Sequence, residues 1–335
     1  MAKRAVVHIG ITKTGTKTIQ QALFSARSKL LSDAQILYPS IAVNHSTYLA
    51  TIFRDKAPRL LQFIEPDATD ERSVARAREK FRASFEAYFA NPGWHTLVIS
   101  AESLSGFKPK AIARLIEWLT EYVSDVTVVA YVRHPVDWTR SMVQQQLKAG
   151  ETLEQVYKNM PRPKWRQRFT PWLDTVGLER FRLVSFDHAR KNDGIMESFC
   201  DAAGLPREKI LSLAPATPAN ESMSLEAALL LDSLNRQRPL FRDGKLSPER
   251  RWQGTHTIKL IPGNKFYLSA EHAAKARVDS RPDLEWLNAT FGTKLYPDVF
   301  EDTPIEVSVR PNTMPQETVD ALAVLLSDLG NQLKK

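Results

Sequence analysis

The run Val6-Val7-His8-Ile9-Gly10-Ile11-Thr12-Lys13-Thr14-Gly15-Thr16-Lys17-Thr18 decides how this chain folds. A short apolar stretch, Ala5–Ile11, reads as a strand with little alternation, as in a parallel sheet covered on both faces. It ends in a loop of Gly, Thr and Lys that leads directly into apolar residues at helical spacing: Ile19, Ala22, Leu23, Ala26 and Leu30. A helix start carries unpaired backbone N–H groups and the positive end of the helix dipole, so a strand–loop–helix unit of this kind is suited to an oxyanion. Gly15 permits close backbone approach. Thr14, Thr16 and Thr18 add hydroxyls, and Lys13 and Lys17 add charge.

Gly10 and Gly15 have the separation found in the phosphate loop of nucleotide triphosphatases, but Thr16 stands where that loop has lysine. Lys17 follows one place late, and one residue rotates a side chain by roughly 100° around a helix. Lys13, inside the loop, is better placed.

Outward from this unit the pattern repeats. Thr96–Ile99 reads as a second strand, ending at Ser100-Ala101-Glu102-Ser103. Val126–Val132 reads as a third, running into Arg133-His134-Pro135, where Pro135 suits the first turn of a helix carrying Trp138, Ser141, Met142 and Leu147. Arg180–Phe186 reads as a fourth, before Asp187 and a helix over Ile195–Ala203 that stops at Gly204-Leu205-Pro206. Other helices are expected over 46–54, 69–90, 108–123, 224–235 and 315–333, with two more in 150–175 divided around Pro161 and Pro163. Ligands of open α/β sheets gather at the carboxyl ends of strands, which marks Glu102 and Arg133 for chemistry. A magnesium-dependent nucleotide kinase or triphosphatase would carry an acidic residue at such a strand end. Arginine in that position suits a second anionic group, for which its planar fork is fitted.

Taken together, Thr12-Lys13-Thr14-Gly15-Thr16-Lys17-Thr18 and the Arg133/Ser141 pair resemble the two nucleotide motifs of sulfotransferases that use 3′-phosphoadenosine-5′-phosphosulfate (PAPS). The comparison extends to bacterial-type carbohydrate sulfotransferases. The family's first loop usually reads Pro-Lys-Thr/Ser-Gly-Thr-Thr; here Thr12 replaces the proline and Lys17 the second threonine. The resemblance covers residues 5–31, 95–148 and 180–206, where Phe186-Asp187 and Phe199 with Gly204-Leu205 also fit. It implies an α/β fold: a three-layer sandwich like that of P-loop nucleotide triphosphatases, with a central parallel sheet of four to five strands and a helical insert at 33–95. One domain would span 1–335, with 207–335 covering cofactor and acceptor. It implies sulfuryl transfer from PAPS to a hydroxyl or amine, with no metal. Lys13, Thr14, Gly15, Thr16, Lys17 and Thr18 would hold the 5′-phosphate, Lys13 would also serve the leaving group, and Arg133 and Ser141 would hold the 3′-phosphate. Glu102 occupies the family's base position, and His45, whose ordinary pKa suits the task, is the alternative. In the family a late Gly/Lys/Arg loop closes over the 3′-phosphate and adenine. Gly263, Asn264 and Lys265 are the candidates here, with Arg250 and Arg251 as rivals, although neither stretch has the usual Arg-Lys-Gly form.

Bulk properties agree with an anionic ligand. The 335 residues carry a net charge of +8 and 43% apolar residues. That balance would equally serve a non-enzymatic polyanion binder, which would show steep salt dependence and no preference for a 3′,5′-bisphosphate; the paired motifs weigh against it, and no nucleic-acid partner is expected. The single cysteine, Cys200, excludes an internal disulfide, suits a reducing compartment and reads as core packing. No apolar run approaches the length of a membrane span, and the start of the chain lacks a signal-peptide pattern, so a cytoplasmic location is expected. The basic and aromatic residues of 162–172 (Arg162, Lys164, Trp165, Arg166, Arg168, Phe169, Trp172) suit either a sugar chain or a core with a basic face. They lean the acceptor toward a carbohydrate. The sequence leaves the oligomeric state open; the helical insert would permit a homodimer.

Overall fold

In the computed structural model, residues 2–214, 222–242, 245–247, 250, 252–301, 304–308, 314–322 and 325 are described. Packing divides the chain into two compact units, Met1–Arg133 with Lys164–Ala219 and Trp286–Leu295, and His134–Pro163 with Asn220–Glu285 and Tyr296–Lys335. The helical insert belongs wholly to the first unit. The segment from 207 onward is shared between the two.

The first unit is built on five parallel strands: β1 (Arg4–His8), β2 (Ile36–Leu37), β3 (Thr96–Ser100), β4 (Asp125–Val132) and β5 (Phe181–Ser185). Their order is β2-β3-β1-β4-β5. Ala5 pairs with Leu97 on one side and Val126 on the other, and β4 continues the sheet through Val128 opposite Phe181. The expected α/β fold with a central parallel sheet is therefore present, with five strands. β1 is shorter than the apolar run implied. It leaves the sheet after His8, because Gly10 turns to φ +34° and a side chain there would meet the Thr16 hydroxyl at 2.9 Å.

Helices connect the strands and bury their apolar stripes on the sheet. α1 (Thr16–Ala34) follows the Gly10–Gly15 loop, and its Ile19, Leu23 and Leu30 join Val6, Val98 and Val129 in one core. Cys200 lies fully buried in the same core, as expected of a packing residue; burial pushes its thiol up to about 12. The insert holds α2 (Ser46–Phe53), α3 (Leu61–Ile64) and α4 (Glu71–Phe89). Asp70 and Ser73 form a reciprocal capping box at the start of α4. Arg78 of α4 donates to the carbonyls of Thr51, Arg54 and Asp55 and closes the carboxyl end of α2.

After β3 comes a 3₁₀ turn, Glu102–Gly106, then α5 (Pro109–Thr120). α6 (Pro135–Lys148) and α7 (Leu153–Lys158) belong to the second unit, and α8 (Trp165–Val176) to the first. Trp165, Phe169 and Trp172 of α8 are fully buried, so these aromatics are core and not a sugar platform.

The second unit packs Val143, Leu147, Leu231, Phe266 and Ala273 around the helix Leu225–Gln237. A 22-residue helix, Ala270–Phe291, has no counterpart in the sequence reading, since Pro282 interrupts its pattern. Of the expected C-terminal helix, 316–322 and 325 are helical, and the rest lies outside the described residues. No helix among the described residues is long and apolar enough to cross a membrane.

Candidate active site

The strand order places β1 between β3 and β4, the point where connections leave the sheet in opposite directions. The carboxyl ends of these three neighbours carry the Gly10–Gly15 loop, Glu102 and Arg133. The sequence motifs thus meet at the crevice of the sheet within the first unit.

Gly15 is the N-cap of α1 at φ +79°, with no side-chain cap. A Cβ there would meet Phe186 at 3.0 Å and Ile195 at 3.2 Å, so glycine is required by conformation and by space. The amides of Gly15, Thr16 and Lys17 donate to no acceptor among the described residues; the first amide turned back into the helix is that of Thr18, which donates to the Gly15 carbonyl. Uncapped amides at the positive end of a 19-residue helix form an anion cradle.

Lys13 holds a left-handed conformation at φ +71°, uncommon for a residue with a side chain. Its ammonium is half-buried. Burial lowers its pKa, and the Glu102 carboxylate raises it in return. Glu102 is also half-buried: burial raises its pKa, and Lys13 pulls it back down. Each charge acts on the other across the ends of β1 and β3, partly withdrawn from water, without a direct salt bridge. Lys17 is exposed and Thr18 half-buried on the first turn of α1.

Thr14 and Thr16 correct one expectation. Both side chains are buried, and both hydroxyls turn onto the Ile11 carbonyl, Thr16 at 3.5 Å. They brace the loop from within, so these hydroxyls are engaged by its own backbone.

Arg133 ends β4. Its Nη1 donates to the Lys13 carbonyl at 3.1 Å, its Nε lies 4.0 Å from Asp187, and its guanidinium sits over the Phe186 ring. Ser141 is half-buried on the second turn of α6 in the second unit.

His45 is corrected more strongly. Its ring is fully buried: Nε2 lies 3.0 Å from the Pro39 carbonyl, and Nδ1 accepts from the Ser100 amide at 3.3 Å. Burial brings its pKa down to about 4. Both nitrogens serve the backbone, which leaves no free one for an acceptor's proton.

Ser100 is a hub that sequence reasoning missed. Its hydroxyl bonds His8 Nδ1 at 2.8 Å, and its carbonyl accepts from the His45 amide and from Gln20 Nε2. His8 is fully buried, edge-on to Tyr131, and its pKa falls to about 3 by burial. This polar cluster lies one residue beneath Ala101-Glu102. A histidine in an otherwise apolar strand was its one visible signal.

The expected closing loop fares differently. In the second unit Asn264 Nδ2 donates to Glu226 Oε1 at 2.8 Å, and a Cβ on Gly263 would run into the same carboxylate. Glu226 is buried, and its Oε2 has no hydrogen-bond partner among the described residues. A buried carboxylate repels phosphate, so Gly263 and Asn264 are removed from the 3′-phosphate assignment. Lys265 is exposed and stacks over Tyr267. Of the rivals, Arg250 spends its buried fork on Asn235, the Arg238 carbonyl and Thr255. Arg251 lies outside the described residues.

With this geometry in place, one family description matches the chain. The family description "Sulfotransferase domain" matches residues 5–203, which hold the loop, Glu102 and Arg133. The chain belongs to the sulfotransferase family, whose enzymes use PAPS. No curated protein matches it significantly. Among solved structures, it is similar to a sulfotransferase from Alicyclobacillus acidocaldarius, at 13% identity and a TM-score of 0.43, over 89% of this chain and 99% of that one. It is also similar to the sulfotransferase domain of the curacin biosynthetic pathway, at 12% identity and a TM-score of 0.38, over 77% and 95%. A retinol dehydratase in complex with androsterone and the inactive cofactor PAP follows at 14% and 0.37, over 92% and 83%.

Proposed function

We propose that this enzyme transfers the sulfuryl group of PAPS to an acceptor hydroxyl, with Glu102 as base and Lys13 at the leaving group. The observation that carries this reading is the placement of half-buried Lys13 and Glu102, at the ends of neighbouring strands and within reach of each other's charge, beside the uncapped first turn of α1. The residues fit the cofactor: the free amides of Gly15, Thr16 and Lys17 suit its 5′-phosphate, and a Cβ on Gly15 would close the cradle against Phe186. When bound, PAPS supplies the sulfuryl group and adenosine 3′,5′-bisphosphate as leaving group.

Catalysis then rests on positioning and on charge complementarity. The amides and Lys17 hold the 5′-phosphate. The Lys13 ammonium neutralises charge growing on the phosphate oxygen. Glu102 takes the acceptor's proton; its raised pKa makes it a stronger base than an exposed carboxylate while Lys13 keeps it ionised. Arg133 holds the 3′-phosphate, on the support of its grip on the loop, and Ser141 is assigned to the same role on its motif spacing in the sequence alone.

The acceptor proposed from the sequence is a carbohydrate hydroxyl. Its support rests now on basic residues alone, because the aromatics of α8 are buried. A reducing, cytoplasmic setting is proposed on the single buried cysteine.

The test is Glu102→Gln. Turnover, followed as adenosine 3′,5′-bisphosphate release, should fall by about 10²–10⁴-fold, the usual contribution of a positioned base, while affinity for the bisphosphate stays within twofold. Near-normal turnover would remove Glu102 from its role.

A further inference from the structure

His45 and Ser46 stand next to each other at the start of α2, and between them they hold the chain on both sides of the candidate base. Before Glu102, the Ser100 amide donates to His45 Nδ1 at 3.3 Å, and the Ser100 carbonyl accepts from the His45 amide at 3.1 Å. After it, the Ser103 amide donates to Ser46 Oγ at 3.1 Å, and Ser103 Oγ donates to the Ser46 carbonyl at 3.0 Å. One dipeptide thus brackets Ala101-Glu102 with two hydrogen bonds on each side.

The sheet explains why this bracket exists. β2 pairs with β3 at Thr96 and Leu97 and ends at Leu37. On the other side β1 accompanies β3 as far as Ser100, and Ala101 donates to the His8 carbonyl. Backbone groups of successive strand residues point to opposite neighbours, so those of Ser100 face the side that β2 has already left. Buried backbone groups need partners. His45 supplies both, where a further strand residue would. Its tautomer follows: Nε2–H donates to the Pro39 carbonyl at 3.0 Å, which leaves Nδ1 as the acceptor that the Ser100 amide requires. Burial keeps the ring neutral, as this arrangement demands.

We infer that His45 and Ser46 are positioning residues for Glu102: together they clamp the strand end and the 3₁₀ turn so that the base keeps its place opposite the Gly10–Gly15 loop. The helical insert thereby takes part in the reaction through the backbone, although neither residue touches the reacting atoms. Glu102 heads the turn Glu102–Gly106, and the Lys13 charge acts on it from the neighbouring loop. That action depends on the distance between the two groups, which the clamp sets. This inference rests on the sulfotransfer reading for the word base, while the placement of Glu102 can be measured without turnover.

The experiment compares Ser46→Ala and Ser46→Thr with the wild type, each as the full chain saturated with adenosine 3′,5′-bisphosphate. Carbon NMR of labelled glutamate follows the Glu102 carboxyl, identified by its absence in Glu102→Gln. Loss of the Ser46 hydroxyl lets the turn open toward water, so in Ser46→Ala the carboxyl should titrate closer to the ordinary 4.5 than in the wild type. Lys13, His45 and His8 are unchanged in that variant, so the shift belongs to Glu102. Ser46→Thr keeps the hydroxyl and should restore the wild-type titration. With PAPS and 4-nitrophenyl β-D-glucoside, Ser46→Ala should lower kcat about tenfold at unchanged KM for PAPS, and should lower it no further in Glu102→Gln, as residues acting through one group require. His45→Leu should lower kcat about 10²-fold, the cost of misplacing a reacting group by about 1 Å. His45→Asn, whose Oδ1 replaces Nδ1 as acceptor but takes no proton, should recover most of that loss. An unmoved Glu102 titration, equal losses in the wild-type and Glu102→Gln backgrounds, or a fall in bisphosphate affinity as large as the fall in kcat would overturn the clamp. Near-normal turnover in Glu102→Gln alone would instead strike the base reading, and the titration would still decide whether His45 and Ser46 place Glu102.

Discussion

Arg133 Nη1 donates to the carbonyl oxygen of Lys13 across 3.1 Å, so the arginine that ends β4 grips the backbone of the phosphate loop beside it. The grip falls on a residue at φ +71°, which holds its shape only if its surroundings impose it. One fork thereby joins two motifs separated by 120 positions. Arg133→Ala should weaken adenosine 3′,5′-bisphosphate binding by about 10²-fold, the loss of a charge-assisted bond and of loop order together. Arg133→Lys keeps the charge but not the fork and should recover less than half of that free energy. Calorimetry on both variants measures this, and a lysine variant equal to wild type would reduce Arg133 to a point charge.

Lys13 should trade activity against stability. A side chain in the left-handed region costs about 1–2 kcal/mol, and its burial opposes its charge. Lys13→Gly removes both costs along with the catalytic ammonium. It should lower turnover by about 10²–10³-fold while unfolding at a temperature equal to or above the wild type. A clear loss of thermal stability would mean that the lysine supports the loop structurally.

Glu102 should set the acid limb of the rate profile. Burial raises its pKa and Lys13 opposes the rise, so kcat/KM should climb with pH through an inflection above the ordinary value of 4.5. Removing the ammonium removes the opposing term. In Lys13→Met the Glu102 carboxyl should therefore titrate at higher pH than in the wild type, as carbon NMR of labelled glutamate would show. A shift downward would contradict the pairing.

His45 and His8 should make the fold acid-labile. Both are depressed from 6.5, to about 4 and about 3, because burial disfavours the imidazolium. Such groups add stability above the unfolded pKa, and it is lost as pH falls from about 6.5 through the folded values. For His45 alone the loss across this window is about 3 kcal/mol, at 1.36 kcal/mol per unit. Denaturation by urea at pH 7 and pH 4.5 should show a steep fall in the wild type and a shallower one in His45→Gln, which starts lower. Parallel falls would exclude His45 as the titrating group.

Much of the candidate site could be read from the sequence because it lies on short, contiguous segments. The Gly10–Thr18 loop, Glu102 after β3 and Arg133 after β4 are local signals, and the parallel sheet brings them to one edge. What failed depended on partners distant in sequence. His45 reads as a loop histidine until Pro39 and Ser100 claim its ring. Gly263-Asn264 reads as a phosphate loop until Glu226, 38 positions earlier, is found beneath it. Trp165, Phe169 and Trp172 alternate with cations in sequence, yet helical geometry turns all three into the core. β2 was too short to register at two residues, and Ser46 meets Ser103 only through the fold.

The most direct test of the central claim is calorimetric titration with adenosine 3′,5′-bisphosphate, beside ATP with magnesium, in the presence and absence of a chelator. The account predicts tight binding of the bisphosphate that the chelator does not alter, and binding of magnesium–ATP at least 100-fold weaker, a gap of about 2.7 kcal/mol. A preference for magnesium–ATP, or bisphosphate binding that disappears with the metal, would contradict it.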